Sequence, residues 1–211
     1  MAFTPGLAFH ALTPLYDMLN AALGFGRPFM RRVQAALALR GHEAVLDIGS
    51  GTGTLLAALA ARHPAAHLAG LDADGRMLAR ARTKLDAAPR VLLLQAYAQA
   101  LPFRSAAFDV VVSTLIFHHL PTAVKRTALA EVRRVLRPGG RLLLADFGKP
   151  QNATQRILLH VGSLFDGREN MRANLAGMMP ALLAEAGFRV TEAAPAYRAV
   201  QFLLAVSDEG K

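Results

Sequence analysis

The sequence predicts one α/β domain in which helices cover both faces of a mostly parallel sheet of seven strands. Apolar segments of strand length alternate along the chain with segments of helical periodicity. The strands are apolar throughout, as expected for strands buried on both faces of a parallel sheet. A glycine-rich loop between the first strand and the next helix is typical of doubly wound, Rossmann-like folds. The 211 residues, of which 53% are hydrophobic, suffice for a single domain over 1–211.

Runs of β-branched and other apolar residues place the strands. They cover residues 44–48, 67–72, 91–95, 108–115, 141–146, 188–193 and 199–206. Two helices precede the first strand and form an N-terminal helical cap. Later helices are predicted over 54–63, 74–88, 121–136 and, in one piece, 171–186, with a turn at 137–140. The link between the last two strands is too short for a helical crossover, so an antiparallel C-terminal strand is expected.

Composition excludes several kinds of chemistry. The chain has no cysteine, so it holds no disulfide, no thiolate metal ligand and no cysteine nucleophile. Its net charge is +9, but only four of its 24 basic residues are lysine. Either a GC-rich genome or a surface suited to anionic lipid, nucleic acid or an acidic substrate explains this balance. The sequence has no secretory signal pattern and no apolar run of about 20 residues, which predicts a cytoplasmic protein.

The loop after the first strand is the most informative segment. Gly49, Gly51 and Gly53 allow a tight turn and let a ligand approach the backbone. Their spacing differs from the G-x-G-x-x-G of dinucleotide-binding proteins, which requires glycine where Thr54 stands. No lysine follows the loop, which excludes a phosphate-binding P-loop.

Two acids flank this loop in the predicted sheet. Asp72 ends the second strand, where a carboxylate can accept both ribose hydroxyls of a nucleoside. Asp47 precedes the glycines and can face an ammonium group directly or through water. A nucleoside with an amino-acid tail therefore fits these features better than a ligand with phosphates.

Further segments occur in the order and spacing of one enzyme family. They are Leu101-Pro102-Phe103, Phe108 to Val111, His118-His119-Leu120-Pro121 and Glu131 to Gly140. With the glycine loop and the two acids, they make the chain resemble the class I S-adenosylmethionine-dependent methyltransferases. The resemblance implies S-adenosyl-L-methionine as cofactor and S-adenosyl-L-homocysteine as product. It assigns cofactor binding to Asp47, Gly49, Ser50, Gly51, Gly53, Asp72, Ala73, Met77, Tyr97, Ala98 and Thr114.

The resemblance also assigns the parts of the cofactor. The glycines contact its methionine portion, Asp72 its ribose, and the loop at Tyr97 and Ala98 its adenine. Where many relatives carry an acid that accepts the adenine amino group, this chain has Tyr97. In this chain, backbone contact from Ala98 would then read the adenine, while Tyr97 either packs on the ring or only covers the edge of the pocket.

Methyl transfer is an in-line displacement from an activated donor, so orientation of the acceptor is the main catalytic device. A base is needed only where the acceptor must lose a proton, and the candidates are His118, His119 and Asp146. Successive side chains of a strand alternate in direction, so at most one of the histidines reaches the pocket. Alternatively, the pair only fixes the loop by hydrogen bonds. No spacing of ligands in the sequence indicates a metal site.

The acceptor is expected to be a small or lipid-like molecule, methylated at carbon, oxygen or nitrogen. After the fourth strand the chain lacks the [Asn/Asp]-Pro-Pro-[Tyr/Phe] pattern of enzymes that methylate amino groups of bases or glutamine. It also lacks the cysteine needed for C5 of pyrimidines and the length for a nucleic-acid module, so no specific nucleic-acid partner is expected. Substrate contacts are assigned to Tyr16, Asp17, Phe117, Phe147, His160 and Arg168.

The N-terminal segment resembles the entry region of the ubiquinone/menaquinone C-methyltransferase family and of bacterial phospholipid N-methyltransferases. The implied division of the chain is a helical cap (1–40), a cofactor-binding half (41–146), a substrate-side insert (147–170) and a C-terminal helix with a β-hairpin (171–211). The His-His turn departs from the Gly-Arg-Asn-type turn of quinone relatives, which leaves the subfamily open. Peripheral membrane contact and a monomer or homodimer are compatible with this assignment.

Two other classes of function remain as alternatives. A dinucleotide-dependent oxidoreductase shares the fold but requires a different glycine spacing. A non-catalytic protein that binds the cofactor or nucleic acid is compatible with the charge of +9.

Overall fold

In the computed structural model, which describes residues 16–88 and 90–207, the strands form one mixed sheet. They are Ala44–Ile48 (β1), His67–Asp72 (β2), Leu92–Gln95 (β3), Phe108–Thr114 (β4), Leu136–Phe147 (β5), Phe188–Tyr197 (β6) and Val200–Ser207 (β7). Their order across the sheet is β3-β2-β1-β4-β5-β7-β6. Strands β1 to β5 are parallel, whereas β7 is antiparallel to both β5 and β6. The predicted fold class, including the antiparallel C-terminal pair, is confirmed.

Helices connect the strands and cover the two faces of the sheet. Within the described ranges they are Tyr16–Asn20 (α1), Arg27–Leu37 (α2), Thr54–Arg62 (α3), Gly75–Lys84 (α4), Thr122–Val135 (α5), Ala153–Asp166 (α6), Arg168–Leu175 (α7) and Met179–Glu185 (α8). A π-helical turn, Ala21–Phe25, joins α1 to α2, and a 3₁₀ turn, Phe117–His119, follows β4. Asp74 caps α4 as predicted, since its side chain accepts a hydrogen bond from the Arg76 N–H.

Alternation of side chains along each strand supplies a core on both faces. In β4, Val110 and Val112 belong to one hydrophobic cluster and Val111 to the other, and all three are fully buried. From β1 the chain continues to β2 and β3 on one side of the sheet, and then returns to place β4 and β5 on the other side. The direction of the strand order therefore reverses between β1 and β4. In open α/β sheets, ligands bind at this switch point, outside the carboxyl ends of the strands.

The N-terminal cap is attached to the antiparallel edge of the sheet. Phe29 and Leu37 of α2 are fully buried, and the ring of Phe29 lies 5.9 Å from that of Phe202 in β7. The Tyr197 hydroxyl donates a hydrogen bond of 3.0 Å to the Gly24 carbonyl. Gly24 has a φ of 90°, which suits glycine and turns the chain from the π-helical turn into α2. These contacts fix the base of the cap.

One predicted helix is divided into two in the structure. The segment predicted as a single helix over 171–186 forms two helices, α7 and α8. Gly177 adopts a φ of 71°, which ends the first helical run, and Pro180 stands in the first turn of α8. The helical periodicity of the apolar residues continues across the break, and for this reason the pattern did not indicate it.

Two predicted boundaries also differ. The turn predicted at 137–140 is an irregularity inside β5, because Leu136 pairs with Phe108 and the next pair joins Arg141 to Val110. The helix predicted to reach residue 88 ends at Lys84, where a hydrogen-bonded turn follows.

The approach to β1 depends on one buried carboxylate. Glu43 is 5% exposed and accepts hydrogen bonds from the backbone N–H groups of Arg40 and Gly41, both at 2.8 Å, while Arg141 approaches it at 3.4 Å. Burial alone would raise the pKa of Glu43, but these donors outweigh it and lower the pKa to about 2.

We expect Glu43→Gln to lower the free energy of unfolding at pH 7 by about 2 kcal/mol, since the charge-assisted hydrogen bonds are lost. A depressed pKa stabilises the folded state fully above the unfolded value of 4.5 and loses its effect as the pH falls towards 2. Urea unfolding of both proteins across this range checks the prediction. An unchanged difference at acid pH would contradict the electrostatic origin.

Candidate active site

A cavity of about 860 Å³ lies at the carboxyl ends of β1, β2 and β4. Its volume lies towards the upper end of the range of small-molecule sites. One wall is formed by the glycine loop and the end of β2, another by the loop at 96–99, and a third by the segment 114–121 after β4. The cap covers it through Asp17 and residues of the π-helical turn and α2.

The glycine loop turns sharply because of its backbone conformation. Gly49, Gly51 and Gly53 have φ angles of 75°, 54° and 74°. Two consecutive N–H groups, those of Gly49 and Ser50, donate to the Leu71 carbonyl at 2.7 and 3.0 Å, which ties the loop to β2. A Cβ at Gly49 would lie 2.1 Å from a side-chain carbon of Ile116, so a side chain has no room there.

Asp72 connects the glycine loop to the start of α4. Its two carboxylate oxygens accept hydrogen bonds from the N–H groups of Gly51 and Asp74, each at 2.8 Å. Burial raises the pKa of Asp72, although these hydrogen bonds oppose the rise. The carboxylate lines the cavity with lone pairs left over, so it can accept hydrogen bonds from ligand hydroxyls.

Asp47 is the most unusual polar group in the cavity wall. It is 1% exposed, and among the described residues its Oδ1 atom has no hydrogen-bond partner. Burial, with the neighbouring charge of Asp72 as a second cause, raises its pKa to about 7. The Ser50 hydroxyl in the same cavity wall is also buried, and no described residue is its hydrogen-bond partner. A buried carboxylate of this kind favours a cationic ligand group.

The loop over the far end of the cavity is held by an ion pair that the sequence did not indicate. Glu131 and Arg134 of α5 pair at 2.7 Å. The Arg134 guanidinium donates to the carbonyls of Leu101 and Phe103, and Glu131 accepts from the Leu101 N–H. These contacts position the preceding loop, in which Ala98 is 8% exposed and lines the cavity.

Tyr97 lies at the edge of the cavity, where it is 47% exposed. Nearly half of the surface of this residue is therefore accessible to solvent. Both roles suggested by the sequence, packing on a ligand ring and covering the pocket edge, are compatible with this position.

Asp17 joins the cap to the glycine loop. Its carboxylate accepts a hydrogen bond from Thr52 at 2.6 Å and pairs with Lys84, at the end of α4, at 2.6 Å. Lys84 also donates to Thr54 at 2.6 Å. Burial would raise the pKa of Asp17, but Lys84 and the two threonines lower it. Sequence reasoning found Asp17 and missed Lys84, because a lysine at a helix end is usually a solvated residue.

The His-His turn is organised by Asp146. This residue is fully buried, and its carboxylate accepts from the His118 ring at 2.7 Å and from the N–H groups of Ile116 and His118 at 3.1 and 3.2 Å. Burial would raise the pKa of Asp146, but the charge and hydrogen bonds of His118 and the N–H of Phe147 lower it. His118 is thus turned into the protein, 4% exposed.

His119, in contrast, lines the cavity. Its ring centroid lies 4.0 Å from that of His118. Burial and the neighbouring His118 lower the pKa of His119 to about 3. It is therefore a neutral imidazole at pH 7, suited to hydrogen bonding rather than to holding a proton.

The remaining assigned residues divide into two groups. Ala73, Met77 and Thr114 line the cavity. Outside its lining are Gly53, which caps α3, Phe117 and Asp146 in the interior, His118, Phe147 against the His118 ring at 4.7 Å, and the exposed His160 and Arg168. Tyr16 begins α1, but its side chain lies outside the described residues.

The described part of the chain contains no group of three or more His, Asp or Glu residues that could hold a metal ion. It also contains no helix long and apolar enough to cross a membrane.

The wall of the cavity fits S-adenosylmethionine. Within the described residues the Oδ1 atom of Asp47 has no hydrogen-bond partner and suits the ammonium of its methionine portion, and the backbone of Gly49 and Gly51 lines the same cavity. Asp72 presents acceptors for ribose hydroxyls on the adjacent strand. When bound, the cofactor supplies a methyl group on a positively charged sulfur.

We expect the affinity for S-adenosylhomocysteine to fall as the pH drops through 7, because Asp47 loses the charge that pairs with the ligand ammonium. Asp47→Asn should bind about tenfold or more weakly one pH unit above this value, with little pH dependence. Isothermal titration calorimetry measures both. Asp109→Asn, at the opposite end of the sheet, is the control, and a pH-independent wild-type affinity would refute the role of Asp47.

Gly49→Ala is expected to reduce the affinity for S-adenosylhomocysteine by at least about tenfold, because its Cβ forces Ile116 or the loop to move. Gly162→Ala in α6 is the control, since a Cβ there meets nothing within 4 Å. Fluorescence or calorimetric titration of both variants checks the effect. Equal affinities of the two variants would show that the tight fit at Gly49 does not matter.

The chain is similar to known methyltransferases over most of its length. The model of the family described as a methyltransferase domain matches residues 45–140. A demethylmenaquinone methyltransferase from Thermus thermophilus is 37% identical over 203 residues, which cover 86% of this chain and 91% of that protein. A malonyl-[acyl-carrier protein] O-methyltransferase from Geobacter sulfurreducens is 36% identical over 191 residues, covering 88% and 70%.

A crystal structure of a SAM-dependent methyltransferase from Aquifex aeolicus superimposes with a TM-score of 0.65 at 20% identity, covering 84% of this chain and 88% of that one. At this identity the likeness concerns the fold alone. The match to the family model, and the identities of 37% and 36% with the two relatives, show the family as well as the fold. The chain belongs to the class I S-adenosylmethionine-dependent methyltransferase family, and it is an enzyme of that family.

Proposed function

We propose that this enzyme transfers the methyl group of S-adenosylmethionine to a ring carbon of a small, lipid-like acceptor of the quinol type. The observation that carries the proposal is the apolar wall of the cavity beyond the glycine loop. It is formed by Phe25, Met30, Leu115, Ile116, Leu120, Pro121 and Val124. An apolar wall of this extent suits an aromatic ring with a hydrocarbon chain. The name of the Thermus thermophilus relative supports the same class of acceptor.

In this proposal, Asp47 holds the cofactor ammonium and Asp72 its ribose, while the backbone at Ala98 contacts the adenine. Thr52 and Asp17 close the cap over the same end of the cavity. The acceptor then occupies the space towards Ile116 and His119, beneath the cap. Orientation of the two ligands by these walls supplies several kcal/mol of the barrier reduction.

The chemistry requires an electron-rich acceptor ring. When bound, the cofactor would supply a methyl group on a positively charged sulfur, to which a reduced quinol would give an electron pair from its ring carbon. The bond from sulfur to methyl would break and leave its electron pair on sulfur. The ring carbon then loses its proton to water and becomes aromatic again. His119, neutral because its pKa is about 3, accepts a hydrogen bond from a ring hydroxyl and orients it.

His118 and Asp146 act on the acceptor only indirectly, through the position of His119. They hold the turn that presents His119, through the buried contact of 2.7 Å between the His118 ring and the Asp146 carboxylate. They are positioning residues in this proposal, since neither lines the cavity.

A second candidate is O-methylation of a carboxylate, as the name of the Geobacter sulfurreducens relative indicates for that protein. The observation that favours it is the presence of Arg27 and Arg31, both exposed, in the lining of the cavity. Arginine pairs readily with carboxylate or phosphate groups. The two candidates differ in the product and are separated by one assay.

We expect radioactive methyl transfer from S-adenosylmethionine to a demethylmenaquinol analogue kept reduced in detergent micelles, with the product extracted into organic solvent. His119→Ala should lower kcat by about 10 to 100-fold and leave the affinity for S-adenosylhomocysteine unchanged. Asp109→Asn, remote from the cavity, serves as the matched control. Transfer only to malonyl-acyl carrier protein, with none to the quinol, would overturn the proposal in favour of the second candidate.

A further inference from the structure

Helix α6 presents apolar side chains to solvent. Ile157, Leu158, Val161 and Leu164 are 64%, 66%, 50% and 62% exposed, and they follow one another at helical spacing along one stripe. The opposite face is the buried one, where Leu159 is 6% and Ser163 3% exposed, and the Ser163 hydroxyl is bound to a carbonyl of its own helix. An ordinary surface helix shows the reverse pattern, so this stripe is suited to contact another apolar surface.

The stripe lies beside the cavity. At the start of α6, Gln155 donates a hydrogen bond of 2.9 Å to the Arg198 carbonyl. The Arg198 guanidinium lies against the backbone of Gly24, whose neighbour Phe25 lines the cavity. At its other end, α6 is followed directly by α7, which contributes Asn170 to the cavity wall. Both ends of the helix therefore reach elements that border the site.

Three exposed arginines lie near the two ends of the stripe. Arg156 and Arg198 stand at its N-terminal end and Arg168 at its C-terminal end, and all three are exposed. Glu169 is an exposed acidic residue in the same region, and the side chain of Asp166 lies outside the described residues. The chain as a whole carries +9. Exposed apolar residues with arginines near both ends of the helix match the chemistry of an anionic lipid surface, which attracts basic residues and admits apolar ones.

We propose that the face of α6 formed by Ile157, Leu158, Val161 and Leu164, with Arg156, Arg168 and Arg198 around it, docks on an anionic lipid bilayer. This inference rests on the proposed function, because a lipid-like acceptor resides in such a bilayer. Docking on this face places the cap and the cavity next to the membrane surface. The acceptor then has a short path from the bilayer to the site.

Sedimentation with vesicles tests the proposal on the full chain. Wild-type protein should bind vesicles of phosphatidylcholine with about one third phosphatidylglycerol, and binding should weaken with salt and with pure phosphatidylcholine. The double variant Ile157→Ser, Leu158→Ser should lose about tenfold or more of its vesicle affinity. The control is Leu92→Ser, since Leu92 is 50% exposed on the edge strand β3, and it should bind as the wild type does.

The charges are tested in the same way. Arg156→Glu should reduce binding to the anionic vesicles severalfold, whereas Arg62→Glu at the end of α3 should not. All variants should keep wild-type affinity for S-adenosylhomocysteine, which shows that they fold and separates the surface from the cofactor site. Absence of vesicle binding, or equal loss in the control variants, would overturn the proposal. So would a wild-type dimer that Ile157→Ser, Leu158→Ser converts to a monomer, since the face would then bind a second copy.

Failure of the proposed function has a different signature. If vesicles bind through α6 but no quinol is methylated in micelles, the surface stands and the acceptor assignment falls. If quinol is methylated in micelles and vesicles do not bind, the acceptor assignment stands and the docking surface falls.

Discussion

The site depends on placing two carboxylates at the ends of neighbouring parallel strands and turning the chain sharply between them. Asp47 and Asp72 are both buried, and the charge of Asp72 disfavours the ionised form of Asp47. Asp72 is compensated by two backbone N–H groups, whereas one oxygen of Asp47 has no hydrogen-bond partner in the described part of the chain. A cationic ligand group would pair with that oxygen and offset the cost of burying the charged carboxylate. The glycine loop, with its positive φ angles, turns the chain between the two strand ends, and Gly49 and Gly51 line the cavity together with Asp47.

The opposite wall follows the same physical rule with a different outcome. Asp146 is as buried as Asp47, but its carboxylate is fully engaged by the turn after β4, including the His118 ring at 2.7 Å. Its charge therefore stabilises a loop and leaves nothing for a ligand. Because His118 is fixed in this way, the next residue, His119, is held at the cavity as a neutral imidazole. The buried acid on one wall is thus available to bind a ligand, whereas the buried acid on the other wall fixes the conformation of a loop.

The sequence predicts most of the fold and the cofactor side, because both depend on local patterns. Strand positions follow from continuous apolar runs, although β5 and β6 extend beyond the predicted runs, and the places of Asp47 and Asp72 follow from strand ends. The division of labour between His118 and His119 depends on a contact with Asp146, 28 residues away, which no local pattern records. Likewise, the role of Lys84 depends on the cap folding back over α4. The region of α6 is predicted only as a substrate-side insert over 147–170, since a sequence pattern does not show which face of a helix is covered.

Asp47 is a buried carboxylate with a raised pKa, placed to bind the ammonium group of the ligand. Its side-chain carboxyl resonance, followed by carbon-detected NMR through a pH titration with and without S-adenosylhomocysteine, tests this most directly. We expect a midpoint near 7 in the ligand-free protein and a large downward shift when the ligand ammonium pairs with the carboxylate. A midpoint near the ordinary value of 3.8 without ligand, or one that does not move on binding, would contradict it.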